Sequence, residues 1–212
     1  MGNLKINLPV PEALKRLINS ISMLPWIWEK TATRIAFFLL STNKNFIDDF
    51  RVNLSSIKEK ISYCQQCHGI TDIGRERCSI CEKQTRDKNK ICVVEEYLDM
   101  LTIEQSGGYS WVYHILWGAI SPINWVFVWD LNFETLFTRI IENDENVEII
   151  LATNPNIEGE ATSAYLKEQI EKRKMKYKVL LTRLSRGLSS WYIEYADNIT
   201  LINAIKERKE IK

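Results

Sequence analysis

The 212-residue sequence predicts a multidomain α/β protein made of a small helical hairpin module, a four-cysteine zinc knuckle, a mainly parallel sheet with helices on both faces, and a short C-terminal segment. Three observations lead there. Apolar residues recur at helical spacing near the amino terminus, four cysteines fall in two close pairs, and from Lys90 onward apolar runs alternate with helical patterns. A hydrophobic share of 45% suffices for one good core with small modules beside it. No stretch approaches the roughly 18 uncharged apolar residues of a membrane helix, and no basic-then-apolar signal segment opens the chain, so a cytoplasmic protein without membrane contact is expected.

The elements follow in order. Leu14, Leu17, Ile18 and Ile21 stand at i, i+3, i+4 and i+7, and Ile35, Phe38 and Leu39 repeat the spacing after a break at Leu24-Pro25. Two short amphipathic helices joined by a tight hairpin are therefore expected within residues 1–53. The cysteine-bearing stretch Tyr63 to Cys81, within residues 54–88, is too polar to build its own core. Residues 89–185 read as strand Ile91 to Val94, a helix to about Ser106, strand Val112 to Leu116 and a helix near Asp130 to Ile141. Strand Glu148 to Ala152, a helix from Glu160 to Lys174 and strand Lys178 to Leu181 complete the series. Strict alternation of this kind indicates parallel strands with helices packed on the faces. Residues 186–212 form a C-terminal segment with a last helix near Ile199 to Lys209, suited to contacts between subunits.

Cys64-x2-Cys67 and Cys78-x2-Cys81 place two thiol pairs on two knuckles, a spacing that lets all four sulfurs reach one tetrahedral Zn2+. Two disulfides, which a cytosolic redox poise opposes, and four unlinked thiols are the alternatives. With four protein ligands the ion has no open position, so one structural Zn2+ per chain is expected. His68 is surplus to the ligand count, and Cys92, within an apolar run, reads as core.

Lys/Arg outnumber Asp/Glu over residues 1–90 and the reverse holds over 91–212, which suits a front half that meets phosphate. Leu24-Pro25-Trp26-Ile27-Trp28-Glu29-Lys30-Thr31-Ala32-Thr33-Arg34 resembles a helix-hairpin-helix motif, in which backbone N–H groups take a phosphate. Lys30 and Arg34, one turn apart, would add charge beside it; the bland alternative is a pair of solvated helix residues. Asn154-Pro155-Asn156-Ile157-Glu158-Gly159-Glu160, after a strand and at the start of a helix, is similar to the Toprim signature of topoisomerases and primases. Catalytic members have aspartates where this chain has Asn154 and Asn156, and an acid where it has Glu95. Two asparagines remove the charge that offsets dehydration of Mg2+, so chemistry is expected to be lost while the fold is kept.

These pieces, with Ile91-Cys92-Val93-Val94-Glu95, Ser121-Pro122, Thr182 to Leu188 and Glu194-Tyr195-Ala196-Asp197, resemble the RecR recombination mediators over essentially the full chain. The resemblance implies a non-enzymatic DNA-binding role in repair on single- and double-stranded DNA without sequence specificity. It further implies a homo-oligomeric ring that encircles DNA and acts with RecO and RecF to load RecA, with Lys30 and Arg34 as DNA-binding positions and Glu158 to Glu160 within a partner-binding surface. It also exposes a departure: Trp26, Trp28, Trp111, Trp117, Trp125 and Trp191 stand where relatives commonly have glycine, and Trp129 does not. The rival readings are a metal-dependent Toprim nuclease or primase using Glu95, Glu158 and Glu160, and a zinc adaptor that never touches nucleic acid.

Overall fold

A computed structural model describes residues 9–173, 177–185 and 192–211. The chain divides into two compact units, Met1–Glu59 and Lys60–Lys212.

The first unit holds α1 (Glu12–Ser22), α2 (Glu29–Ser41) and most of α3 (Lys44–Lys60). Ile18 of α1 meets Ala32 and Ala36 of α2, all fully buried, with Leu14, Ile21 and Ile27 packed around them. The two alanines let the helices approach closely, which is how so small a module acquires a core. Helix α3 is absent from the sequence expectation and runs through position 53, where the module was expected to end. Its start was legible in retrospect, because Asn43 accepts a hydrogen bond from the Phe46 N–H at 2.9 Å. It buries none of its residues within the described chain, so no interior stripe announced it.

The second unit opens with an antiparallel hairpin, β1 (Ile61–Tyr63) and β2 (Ile70–Asp72), followed by the single turn α4 (Ser79–Glu82). A five-stranded sheet follows, in the order β4-β3-β5-β6-β7, built from β3 (Asp87–Val94), β4 (Trp111–Ile115), β5 (Val147–Ala152), β6 (Val179–Arg183) and β7 (Lys209–Glu210). The first four run parallel and β7 antiparallel. Residues 91–94 of β3 and 149–152 of β5 read as unbroken apolar runs because both their faces are covered. Ile91, Val93, Ile149 and Leu151 pack under α6 (Phe133–Ile141) and α7 (Ile157–Lys172) through Leu136, Phe137, Ile140, Leu166 and Ile170. Cys92, Val94, Ile150 and Ala152 face α5 (Tyr97–Gln105) and α8 (Asn198–Lys206) through Met100, Ile103, Leu201, Ala204 and Ile205. Cys92 is core, as expected.

The tail differs from the expected helix to Lys209. Helix α8 ends at Lys206, and Arg208 donates through Nε and Nη2 to the two carboxylate oxygens of Glu148, at 2.9 Å for the second. That fork turns the chain so that β7 pairs with β6. Among the described residues no helix is long and apolar enough to cross a membrane.

Ile149 is fully buried between β3, β6 and the helices of one face. Ile149→Ala is expected to lower the unfolding free energy of the second unit by about 2–5 kcal/mol, read from denaturant midpoints at constant slope.

Candidate metal centre and nucleic-acid interface

The Sγ atoms of Cys64, Cys67, Cys78 and Cys81 lie within 4.8 Å of one another, and all four residues are buried. None is in a disulfide. A tetrahedral ion with Zn–S bonds of about 2.3 Å requires sulfurs about 3.8 Å apart, and Cys67 and Cys78 are separated by 3.6 Å. The donor set and spacing therefore fit one tetrahedral metal ion. Without an ion the thiols must satisfy each other: hydrogen bonding between Cys64 and Cys67 pushes the Cys64 thiol pKa down and that of Cys67 up. A cation removes that conflict by deprotonating all four.

Local backbone bonds shape the first knuckle. The Cys64 N–H donates to the Gly69 carbonyl at 2.7 Å, and the His68 N–H to the Cys64 carbonyl at 2.9 Å. Gly69 N–H donates to Cys67 Sγ at 3.3 Å. The cluster is fastened to the sheet by the Ile115 N–H donating to the Cys67 carbonyl at 2.9 Å. His68 is not among the converging ligands; its Nε2 lies 2.7 Å from Thr135 Oγ1. Arg139 is a neighbour that sequence reading missed. Its guanidinium donates to the Tyr113 carbonyl at 2.9 Å; burial pushes its pKa down, and the nearby charges of Cys81, Cys67 and Cys64 oppose that shift. A lone arginine in an amphipathic helix gives no sequence signal for such a position.

The second cluster lies where the sheet's connections change sides. Strand β3 leads to α5 on one face and its neighbour β5 leads to α7 on the other, so the loops after the two strands open a crevice. Glu95 follows β3 and Asn154 follows β5. The buried Glu95 carboxylate accepts from the Asn154 N–H at 2.8 Å and from Asn154 Nδ2 at 2.6 Å. Asn154 Oδ1 in turn accepts from the Ile193 N–H at 2.9 Å. Burial raises the Glu95 pKa, and the two asparagine bonds hold the rise back. Asn156 caps α7, accepting from the Gly159 N–H at 2.7 Å. Gly159 passes so close that a Cβ would overlap the Asn154 carbonyl and come within 2.6 Å of Glu95. Glu158 is half-buried in the first turn of α7, and the exposed Glu160 pairs with Arg183. Among the described residues the four cysteines are the one group of three or more His, Cys, Asp or Glu that converges on a point; Glu95, Glu158 and Glu160 do not.

In the first unit the hairpin between α1 and α2 closes with the Ile27 N–H donating to the Leu24 carbonyl at 3.2 Å. Lys30 and Arg34 stand exposed on the first two turns of α2, one turn apart, and neither enters an ion pair among the described residues. The start of α2 has no side-chain cap, which leaves its first N–H groups and two free cations at the same helix end, an arrangement suited to an anion.

Asp99, buried in the first turn of α5, was also missed, although Glu96-x2-Asp99 has capping-box spacing. Its Oδ2 accepts from the Glu96 N–H at 2.9 Å. Burial, reinforced by the charges of Glu95, Glu96 and Glu194, pushes its carboxyl up to about 7. The folded state thus holds this proton more tightly than the unfolded chain, whose aspartate titrates near pH ~4, and stability is lost as pH rises from there through about 7. Asp99→Asn keeps an acceptor and removes the titration; it is expected to flatten that decline by on the order of a few kcal/mol in urea unfolding between pH 4.5 and 7.5. An unchanged slope contradicts the assignment.

Comparison with known proteins agrees with this geometry. Residues 89–183 match the Toprim domain family. The recombination protein RecR of Streptococcus suis is 41% identical over 202 residues, covering 95% of this chain and 98% of that protein. RecR of Lactococcus lactis and of Streptococcus uberis are each 42% identical over the same share of both chains. On full-length similarity of this degree, the chain belongs to the RecR family of recombination proteins.

Proposed function

We propose that this protein is a non-enzymatic recombination mediator that binds single- and double-stranded DNA without sequence preference and acts with RecO and RecF to place RecA on single strands. The observation that carries the reading is the pair Lys30 and Arg34, exposed and without an ion-pair partner among the described residues at the uncapped start of α2, in a chain whose relatives are named recombination proteins. Residues 1–53 serve as the DNA-binding module, 54–88 as the zinc knuckle, 89–185 as the Toprim-like domain and 186–212 as the C-terminal segment for subunit contacts. The cysteine cluster holds one structural Zn2+. Glu158 and Glu160 belong to the face offered to protein partners. Assembly into a homo-oligomeric ring is supported by the apolar side chains left uncovered on α2 and α3, among them Phe38, Phe46, Phe50 and Leu54. The protein works in the cytoplasm.

A metal-dependent nuclease or primase reading loses ground at Glu95, because the Asn154 amide already donates into the carboxylate that would bind Mg2+.

Purified protein is expected to carry about one Zn2+ per chain, and Cys64→Ser or Cys81→Ser to release it and unfold the knuckle. Metal content near zero in folded protein from zinc-replete cells contradicts this. Lys30→Ala with Arg34→Ala is expected to weaken binding to unrelated DNA sequences alike, and to reduce the slope of log affinity against log salt by up to about 2. Affinity and slope equal to those of the unaltered protein would reduce the pair to solvated surface.

A further inference from the structure

Four described residues other than glycine occupy the left-handed backbone region: Trp26 at φ 66°, His68 at 59°, Trp117 at 62° and Trp125 at 59°. Tryptophan supplies 7 of 212 residues. Chance alone puts three tryptophans in a set of four less than about once in a thousand draws, and a bulky L side chain is disfavoured there in addition. The described glycines in the same region, Gly74, Gly107 and Gly118, show which residue this chain uses for such turns elsewhere.

Each of the three sites is a tight turn. Trp26 sits at the tip of the α1–α2 hairpin. Trp125 ends a short turn over Pro122–Asn124, its N–H donating to the Pro122 carbonyl at 3.2 Å. Trp117 precedes Gly118, so two successive residues take positive φ. At two of the three, no burial offsets the strain: Trp26 is 92% exposed and Trp125 81% exposed. The Trp117 indole does find partners, with Nε1 donating to the His68 carbonyl at 2.7 Å and the ring stacked on Tyr97. Composition points the same way, since 8 glycines in 212 residues is well below the usual share of about 7%.

We propose that the codons for residues 26, 117 and 125 are UGA, read as glycine in the source organism, so that the native protein has glycine at these turns. Trp129 is UGG. A single decoding difference accounts for every described tryptophan held at positive φ, whereas independent substitution must place a bulky, ill-suited side chain in the same strained geometry three times. The inference rests on backbone angles and composition and is independent of the proposed DNA role.

The gene's nucleotide sequence and the mass of the peptides spanning residues 26 and 125, taken from protein isolated from the source cells, decide it. UGA at all three positions with glycine masses in both peptides is the expected result. UGG at any of the three, or UGA with tryptophan masses, overturns the proposal. A conformational readout is available in the full recombinant chain: Trp26→Gly with Trp125→Gly is expected to raise Tm by about 4 °C, because both indoles are exposed and the strain removed outweighs the unfolded-state entropy that glycine adds. A Tm that stays level or falls overturns the argument from strain.

Discussion

The double-sided burial of β3 and β5 is the constraint on which the rest depends. Ile91, Val93, Val94, Ile149, Ile150 and Leu151 are fully buried, each contributing about 1.5–3 kcal/mol relative to exposure. Successive side chains on a strand point to opposite faces, so no single layer of helices can cover them. The chain must place α5 and α8 on one side and α6 and α7 on the other. That requirement brings the loops after β3 and β5 together, and Glu95 meets Asn154 as a result. The polar cluster is a product of how the apolar strands are covered.

The chain handles buried charge in two contrasting ways. Around the cysteines, four thiols are concentrated in one spot, a set that fits one cation, with the guanidinium of Arg139 nearby. At Glu95 a single carboxylate is met by two N–H donors of one asparagine, which needs no ion. The cysteine cluster is tied to the sheet by the Ile115 N–H, and the Glu95–Asn154 cluster by the chain itself, since its two residues follow directly on β3 and β5. The sheet thereby positions both a four-thiol cluster that fits one metal ion and a self-sufficient hydrogen-bonded one.

What could be read in advance follows from how local each signal is. Strands β3 and β5 and helices α6 and α7 were legible because burial writes a periodic pattern into adjacent residues. The cysteine cluster was legible because two ligands on each knuckle are held by spacing alone. Helix α3 was not, since it buries none of its residues within the described chain. The short β7 was not, because its pairing depends on the Arg208–Glu148 contact between residues sixty positions apart. Arg139 and Asp99 escaped for the same reason: what makes them unusual is the surroundings that other segments bring. The Asn154–Glu95 bond was half legible, as the motif located both residues and the amide's donation into the carboxylate emerged only from the folded loops.

Gly159 carries a wider lesson about descent. Any larger residue there collides with the Asn154 carbonyl, whether or not an ion ever binds beside it. The demand on this position is therefore steric, and it holds independently of any chemistry beside it. Within the Glu158-Gly159-Glu160 string it is the glycine that packing fixes, between the half-buried Glu158 and the exposed Glu160. A sequence signature of this kind records ancestry faithfully and is silent about present-day turnover.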